Sequence, residues 1–175
     1  MSLRFSRWSL LTRFGVLSIV ALAVLAVALA HVLKRQIEAR AVDGAEDMGV
    51  LIARAGVQPN LTPADVRHGM SPARIAELDR RLAVSVFRET GIQRVKIFDA
   101  GSTIVYSDKH EVIGDSGGAG VRKALNGEVL SHFTRGVDHT DKGARTLEVY
   151  VPLRFEGDRR PAGVYEIYLS YSKIE

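Results

Sequence analysis

The chain has 175 residues, 46% of them hydrophobic and 25% charged, with no cysteine and a formal net charge of +4. That balance belongs to a folded protein and excludes a disordered, collagen-like or disulfide-stapled chain. The charge is unevenly spread: Arg4, Arg7 and Arg13 precede an uncharged run from Phe14 to Leu33, and beyond it 21 basic side chains face 20 acidic ones. The high pI therefore belongs to the amino-terminal flank, and a nucleic-acid partner loses its compositional support. The remainder suits one domain with a single hydrophobic core.

The run FGVLSIVALAVLAVALAHVL, Phe14 to Leu33, contains only Ser18 and His31 as polar residues. Twenty helical residues reach ~30 Å, the thickness of a bilayer's hydrocarbon layer. A cleaved secretory signal is the rival reading, since Ala28-Leu29-Ala30 offers a small-x-small site. The apolar run, however, exceeds the ~7–15 residues of a signal core and continues past that site, which favours an uncleaved anchor. Three arginines lie before the segment, whereas Lys34, Arg35 and Arg40 after it are diluted by Glu38, Asp43, Glu46 and Asp47. The expected organisation is a cytoplasmic tail over residues 1–13, a transmembrane helix over 14–33 in the inner (plasma) membrane, and a periplasmic or extracellular domain over 34–175.

Residues 34–55 read as a helix continuing from that segment. Ile37, Ala41, Gly44/Ala45, Met48, Leu51/Ile52 and Ala55 recur at helical spacing, so this stripe is expected to pack while the acids stay wet. It can cover the chain's own sheet or seal a parallel homodimer, and one helix can do both. Gly56 to Met70 holds Pro59, Pro63 and Gly69 and reads as a connector. Ser71-Pro72 supplies an N-cap and a first-turn proline. Ile75, Leu78, Leu82 and Val86 then share one face, with Gly91 as the stop. Arg74, Asp79, Arg80, Arg81 and Arg88 are expected to be mostly solvated.

After Gly91 the period becomes alternating. Gln93–Asp99 and Thr103–Ser107 are β-rich runs joined by the turn cluster Asp99-Ala100-Gly101-Ser102, a hairpin. Val112 to Gly120 is a glycine-rich loop and Val121–Asn126 a helical turn ended by Gly127. Three further strands are expected over 129–136, 145–155 and 163–171. On the fourth strand Leu147, Val149, Val151 and Leu153 share one face, while Glu148 and Tyr150 share the other. Pro152 places a bulge or an edge there. Hairpin-joined strands with helices to one side make an α+β protein with a five-stranded antiparallel sheet.

The run VKIFDAGSTIVYSDKHEVIG, Val95 to Gly114, resembles the first hairpin and following loop of Cache domains, the extracytoplasmic PAS-like sensors of bacterial receptors. GVYEIYLSYSKI, Gly163 to Ile174, resembles their closing strand. The resemblance implies an α+β fold: a transmembrane helix continuing into a long helix, then a PAS/Cache-like five-stranded antiparallel sheet with short helices. It also implies signal transduction, as the sensory input of a diguanylate cyclase, histidine kinase or chemoreceptor. In that family a second membrane helix and an output module follow; this sequence ends at Glu175 without a second apolar run, as a fragment or a shortened relative would. The arginine, tryptophan-tyrosine and aspartate signature of some amino-acid receptors is missing, since the only tryptophan is Trp8.

A ligand pocket is expected on the sheet face away from the long helix, under the glycine loop and the short helix. Tyr106, Arg122, His132, Arg145, Tyr150 and Tyr168 are its candidate contacts, because tyrosine joins an apolar body to a hydrogen-bonding tip and arginine can grip a carboxylate. The alternative for each is sheet packing or solvation. Gly114 to Gly120 lacks the third glycine of a dinucleotide fingerprint and the ending of a phosphate loop, so it reads as a mobile lid or a connector. His31, His68, His110, His132 and His139 show no metal-binding spacing, and Asp138-His139-Thr140-Asp141 reads as an exposed turn. Asn60-Leu61-Thr62 matches a glycosylation acceptor. No catalytic constellation, cofactor or metal is expected. The function implied is a membrane-anchored sensory module with a small-molecule ligand and no enzymatic activity of its own; the alternative is a ligand-free PAS-like dimerisation module.

Overall fold

A computed structural model of the chain describes residues 10–87, 92–135 and 145–170, with the side chains of 10, 11, 37–43, 45, 135 and 145 left out of the description. The expected stop at Gly91, the exposed turn at 138–141 and the end of the last strand at Tyr171 lie outside the described residues. The first element is helix α1, Leu10–Leu51. The chain divides into two units, the first ending at Arg40 and the second beginning at Ala41.

Within the first unit, Thr12–Gln36 is a helical stretch of 25 residues with a mean hydropathy of 2.8, long and apolar enough to cross a membrane. Its large apolar side chains, Phe14, Leu17 and Ile19 among them, are exposed rather than packed against the chain. A helix satisfies its backbone internally, so such a surface suits lipid.

In the second unit α1 ends at Leu51 and passes into a π-helical turn, Ile52–Val57, and a 3-10 turn, Gln58–Asn60. Of the expected stripe, Ile52 packs but Met48, Leu51 and Ala55 do not, and the side chains of Ile37, Ala41 and Ala45 lie outside the described ones. Gly49, Ala53 and Val57 are buried with Ile52. The reason is steric: an added Cβ at Gly49 would stand 2.8 Å from Val149 Cγ1, so the smallest residue takes the sheet-facing position. Glu46, expected to stay wet, accepts a 2.6 Å hydrogen bond from the Ser131 hydroxyl.

The expected connector contains helix α2, Pro63–His68. Thr62 caps it, and Asp65 bonds back to the Thr62 amide at 2.8 Å, a reciprocal capping box in which Pro63 holds a first-turn position. Helix α3, Pro72–Ser85, begins at the expected Ser71 cap and buries Leu78 and Leu82, with Val86 buried just past its end. Arg74 is not solvated: it donates to Asp65 from Nε (3.1 Å) and Nη2 (2.9 Å), and to the Asn60 carbonyl, tying α3 to α2. Burial pushes the Asp65 carboxyl up, but the bonds from Arg74 and Thr62 prevail and hold it below the ordinary value.

The strands are β1 (Ile92–Asp99), β2 (Ile104–Ser107), β3 (Leu130–Arg135), β4 (Arg145–Leu153) and β5 (Gly163–Ser170), in the order β2-β1-β5-β4-β3 with every pair antiparallel. The fold is the expected α+β arrangement with a PAS/Cache-like sheet. Helix α4, Ala119–Leu125, connects the β1–β2 hairpin to β3 at the opposite edge. At Pro152, opposite Val164 and without a bulge, β4 is locally an edge, one of the two expected outcomes. The proline is tolerated because β3 pairs no further than Tyr150, and because Leu153, whose carbonyl accepts from Ala162, turns Pro152 toward the side β3 has left.

One sheet face carries Val95, Ile97, Leu147, Val149, Val151, Tyr165 and Ile167 into the main core with Leu78, Leu82 and Val66. The other carries Phe98, Ile104, Tyr150 and Val164 against Val121 and Ala124 of α4. The centre of the sheet tolerates no side chain at Gly163, where a Cβ would stand 2.1 Å from the Phe98 carbonyl oxygen. Gly163→Ala is therefore expected to cost about 3 kcal/mol or more, at the upper end of overpacking, measured as a lowered urea midpoint of the full chain in detergent micelles.

Candidate functional site

The second sheet face forms the floor of an open pocket of about 580 Å³. Its roof is the segment from Asp115 to Gly120, which leads into α4. Glycine is required where roof meets floor: a Cβ on Gly120 would stand 2.8 Å from the Tyr150 ring. The segment is pinned along β2 rather than left as a loose lid. Ile104 donates to Asp115 O at 2.9 Å, Gly117 donates to Ser102 O at 2.7 Å, and Thr103 bridges to Ser116.

The polar part of the floor comes from a repeated pattern on two neighbouring strands, Glu148-Val149-Tyr150 on β4 and Glu166-Ile167-Tyr168 on β5. Alternation turns each glutamate and tyrosine to the same face. The antiparallel register sets Glu148 opposite Tyr168 and Tyr150 opposite Glu166. The Tyr150 hydroxyl reaches Glu166 Oε1 at 2.8 Å and Glu148 Oε2 at 3.0 Å, and Tyr168 donates to Glu166 Oε1 at 2.7 Å. From β1, Lys96 donates to the Tyr168 hydroxyl at 3.0 Å, with its ammonium 4.9 Å from that ring's centre and 3.8 Å from Glu166 Oε2. From β3, His132 stacks on Tyr150 with centroids 5.5 Å apart and places Nε2 2.8 Å from Glu148 Oε2.

A phenol has one proton to donate. Tyr150 therefore serves two carboxylates with a single hydrogen. Burial pushes the Glu166 carboxyl up; Lys96, Tyr168 and Tyr150 pull it down, Glu148 adds to the rise, and it settles above the ordinary value. Burial first, and the glutamate charges second, likewise raise Tyr150 and Tyr168, so both stay protonated.

The candidate residues separate. Tyr150, Tyr168 and His132 come together in the pocket. Tyr106 does not: it is buried on the helix-covered face and donates to Asp79 of α3 at 2.9 Å. Simple alternation would set it beside Ile104, but the pairing passes from Ile97↔Tyr106 to Phe98↔Ile104, and that bulge reverses its side. Arg122 is exposed on α4, outside the pocket lining, with Nη1 3.5 Å from Gly117 O. Arg145 opens β4 opposite Arg135, and its side chain is outside the described ones. Lys96, Glu148 and Glu166 are the floor residues not singled out from sequence; the two Glu-x-Tyr repeats were the available signal.

No family model matches the chain, and no curated protein matches its sequence. Solved structures do match its shape. The crystal structure of the V. cholerae histidine kinase DctB sensor domain aligns with a TM-score of 0.60 at 16% identity, over 86% of this chain and 58% of that one. The E. coli DcuS sensor domain aligns with a TM-score of 0.49 at 21% identity, over 77% of this chain and 95% of that one. The chain thus carries the fold of a PAS/Cache-like sensor domain, and it spans less than two thirds of the DctB structure.

A carboxyl whose folded value is raised binds its proton more tightly folded than unfolded. It adds stability at low pH that is lost as pH climbs from the ordinary carboxylate value through the raised one. The melting temperature is expected to fall across that window, and Glu166→Gln to flatten the fall when both proteins are melted from pH 4 to pH 8. Asp65, displaced the other way, acts below the window.

Proposed function

We propose that the chain is the sensory input module of a membrane-anchored signalling protein, and that its signal is a small molecule bound on the sheet floor under the Asp115–Gly120 segment. The observation that carries this reading is the pocket itself: a polar floor with apolar walls, on the sheet face that α4 covers only in part. A histidine kinase is the output supported by the fold neighbour; no observation favours a diguanylate cyclase. Ligand binding must favour one packing of floor and roof over another, since a ligand with equal affinity for both transmits nothing. The chain itself is assigned no catalysis.

The organisation proposed is a cytoplasmic tail over 1–13, a membrane helix over 14–33 and an extracytoplasmic domain over 34–175, in a single-pass inner-membrane arrangement. The hydropathy of Thr12–Gln36 and the arginines before it support this. A homodimer through the 34–55 helix is also proposed, supported by Met48 and Leu51, which stand 49% and 59% exposed on α1. That same surface favours the second reading, an interaction module without a ligand.

Two measurements separate these readings. Melting of the full chain in micelles against a library of small carboxylates, amines and sugars is expected to give a stabilising compound whose effect is lost in Tyr150→Ala; silence across the library favours the interaction module. Because the chain lacks cysteine, single cysteines report topology cleanly. Glu156→Cys, on an exposed hairpin tip, is expected to react with a membrane-impermeant maleimide on cells whose outer membrane alone has been opened, and Ser2→Cys only after lysis. The reverse pattern contradicts the proposed orientation.

A further inference from the structure

The floor's hydrogen bonds leave two carboxylate oxygens open. Glu148 Oε2 is reached by Tyr150 and His132, but Oε1 has no hydrogen-bond partner among the described residues. Glu166 Oε1 accepts from two tyrosines, whereas Oε2 has the Lys96 ammonium at 3.8 Å, beyond hydrogen-bonding range, and no bonded partner among the described residues. These glutamate side chains are only 9% and 7% exposed. Both line the pocket, so the open oxygens belong to its interior. Neither oxygen is sealed from solvent, so each keeps an open acceptor direction into the pocket, which a ligand donor can fill in place of water.

Charge points the same way. On the floor, two carboxylates face one lysine. On the roof, Asp115 adds a carboxylate, while Lys109 has its own counter-charge in Glu111 at 3.9 Å. Among the described residues no group of three His, Cys, Asp or Glu side chains is placed to hold a metal ion. The pocket walls are apolar: Phe98, Ile104 and Val112.

We propose that this pocket recognises a small primary ammonium compound, whose N–H donors fill Glu148 Oε1 and Glu166 Oε2 while a short apolar body lies against Phe98, Ile104 and Val112. An ammonium suits the place because it brings three donors and one positive charge to a site with two open acceptors and an excess of negative charge. With the cation seated, Tyr150 no longer arbitrates between the two glutamates. This inference rests on the reading of the pocket as a ligand site and names the class of ligand.

The test is isothermal titration calorimetry on the full chain in detergent micelles at pH 7, with n-butylammonium and 1,4-diammoniobutane as probes and butyrate and succinate as anionic counterparts. The ammonium probes are expected to bind one per chain and the anions not at all. Glu148→Gln and Glu166→Gln, which keep shape and an acceptor for the tyrosines, are expected to weaken ammonium binding about tenfold or more. Their urea midpoints are read alongside to establish that each remains folded. Anion binding without ammonium binding overturns the cation assignment and leaves the ligand-site reading intact. Ammonium binding unchanged in both folded variants also overturns it. If neither class binds the folded wild-type chain the ammonium proposal fails, and silence across the wider library as well removes the ligand-site reading with it.

Discussion

The pairing of β4 with β5 is the constraint on which the site depends. Each strand carries a glutamate and a tyrosine two residues apart, and the antiparallel register crosses them, so that every glutamate lies opposite a tyrosine. A one-residue slip of either strand would send that strand's glutamate and tyrosine to the helix-covered face. That register is held from the other side of the sheet, because Val149, Val151, Tyr165 and Ile167 must enter the main core. Hydrophobic burial on one face thus fixes polar geometry on the other.

The rest of unit two serves that division. Gly49 lets the end of α1 lie against Val149, and Asp65 with Arg74 binds α2 to α3 over the same face. Helices gathered on one side leave the opposite face to α4 and the pinned Asp115–Gly120 segment alone, and that cover is incomplete. An incompletely covered floor whose hydroxyl protons are fewer than its carboxylate oxygens is poor as core and apt as a recognition surface.

Much of this was legible in the amino-acid order. The apolar run, the Ser71-Pro72 helix start, the β1–β2 hairpin and the five-stranded sheet all follow from periodicity and turn chemistry, because those signals are local. What escaped was tertiary. Thr62-Pro63-Ala64-Asp65 carried a capping box, yet three helix-breaking residues nearby outweighed it. The helix stripe at Met48 and Leu51 was read from hydrophobicity, whereas the sheet selects the smallest residue, Gly49. Tyr106 obeys alternation only until a bulge the sequence does not announce. Glu148 and Glu166 were visible as paired Glu-x-Tyr repeats, but buried glutamates signify a site only once the strands are known to be neighbours.

The central claim, that the sheet carries a largely buried carboxylate pair sharing one phenolic proton, is tested most directly by carboxyl carbon-13 NMR of glutamate-labelled chain in micelles across pH. The account requires Glu166 to titrate above the ordinary glutamate range, and Tyr150→Phe to move that midpoint higher still. A Glu166 carboxyl that titrates with the exposed glutamates, indifferent to Tyr150, would contradict it.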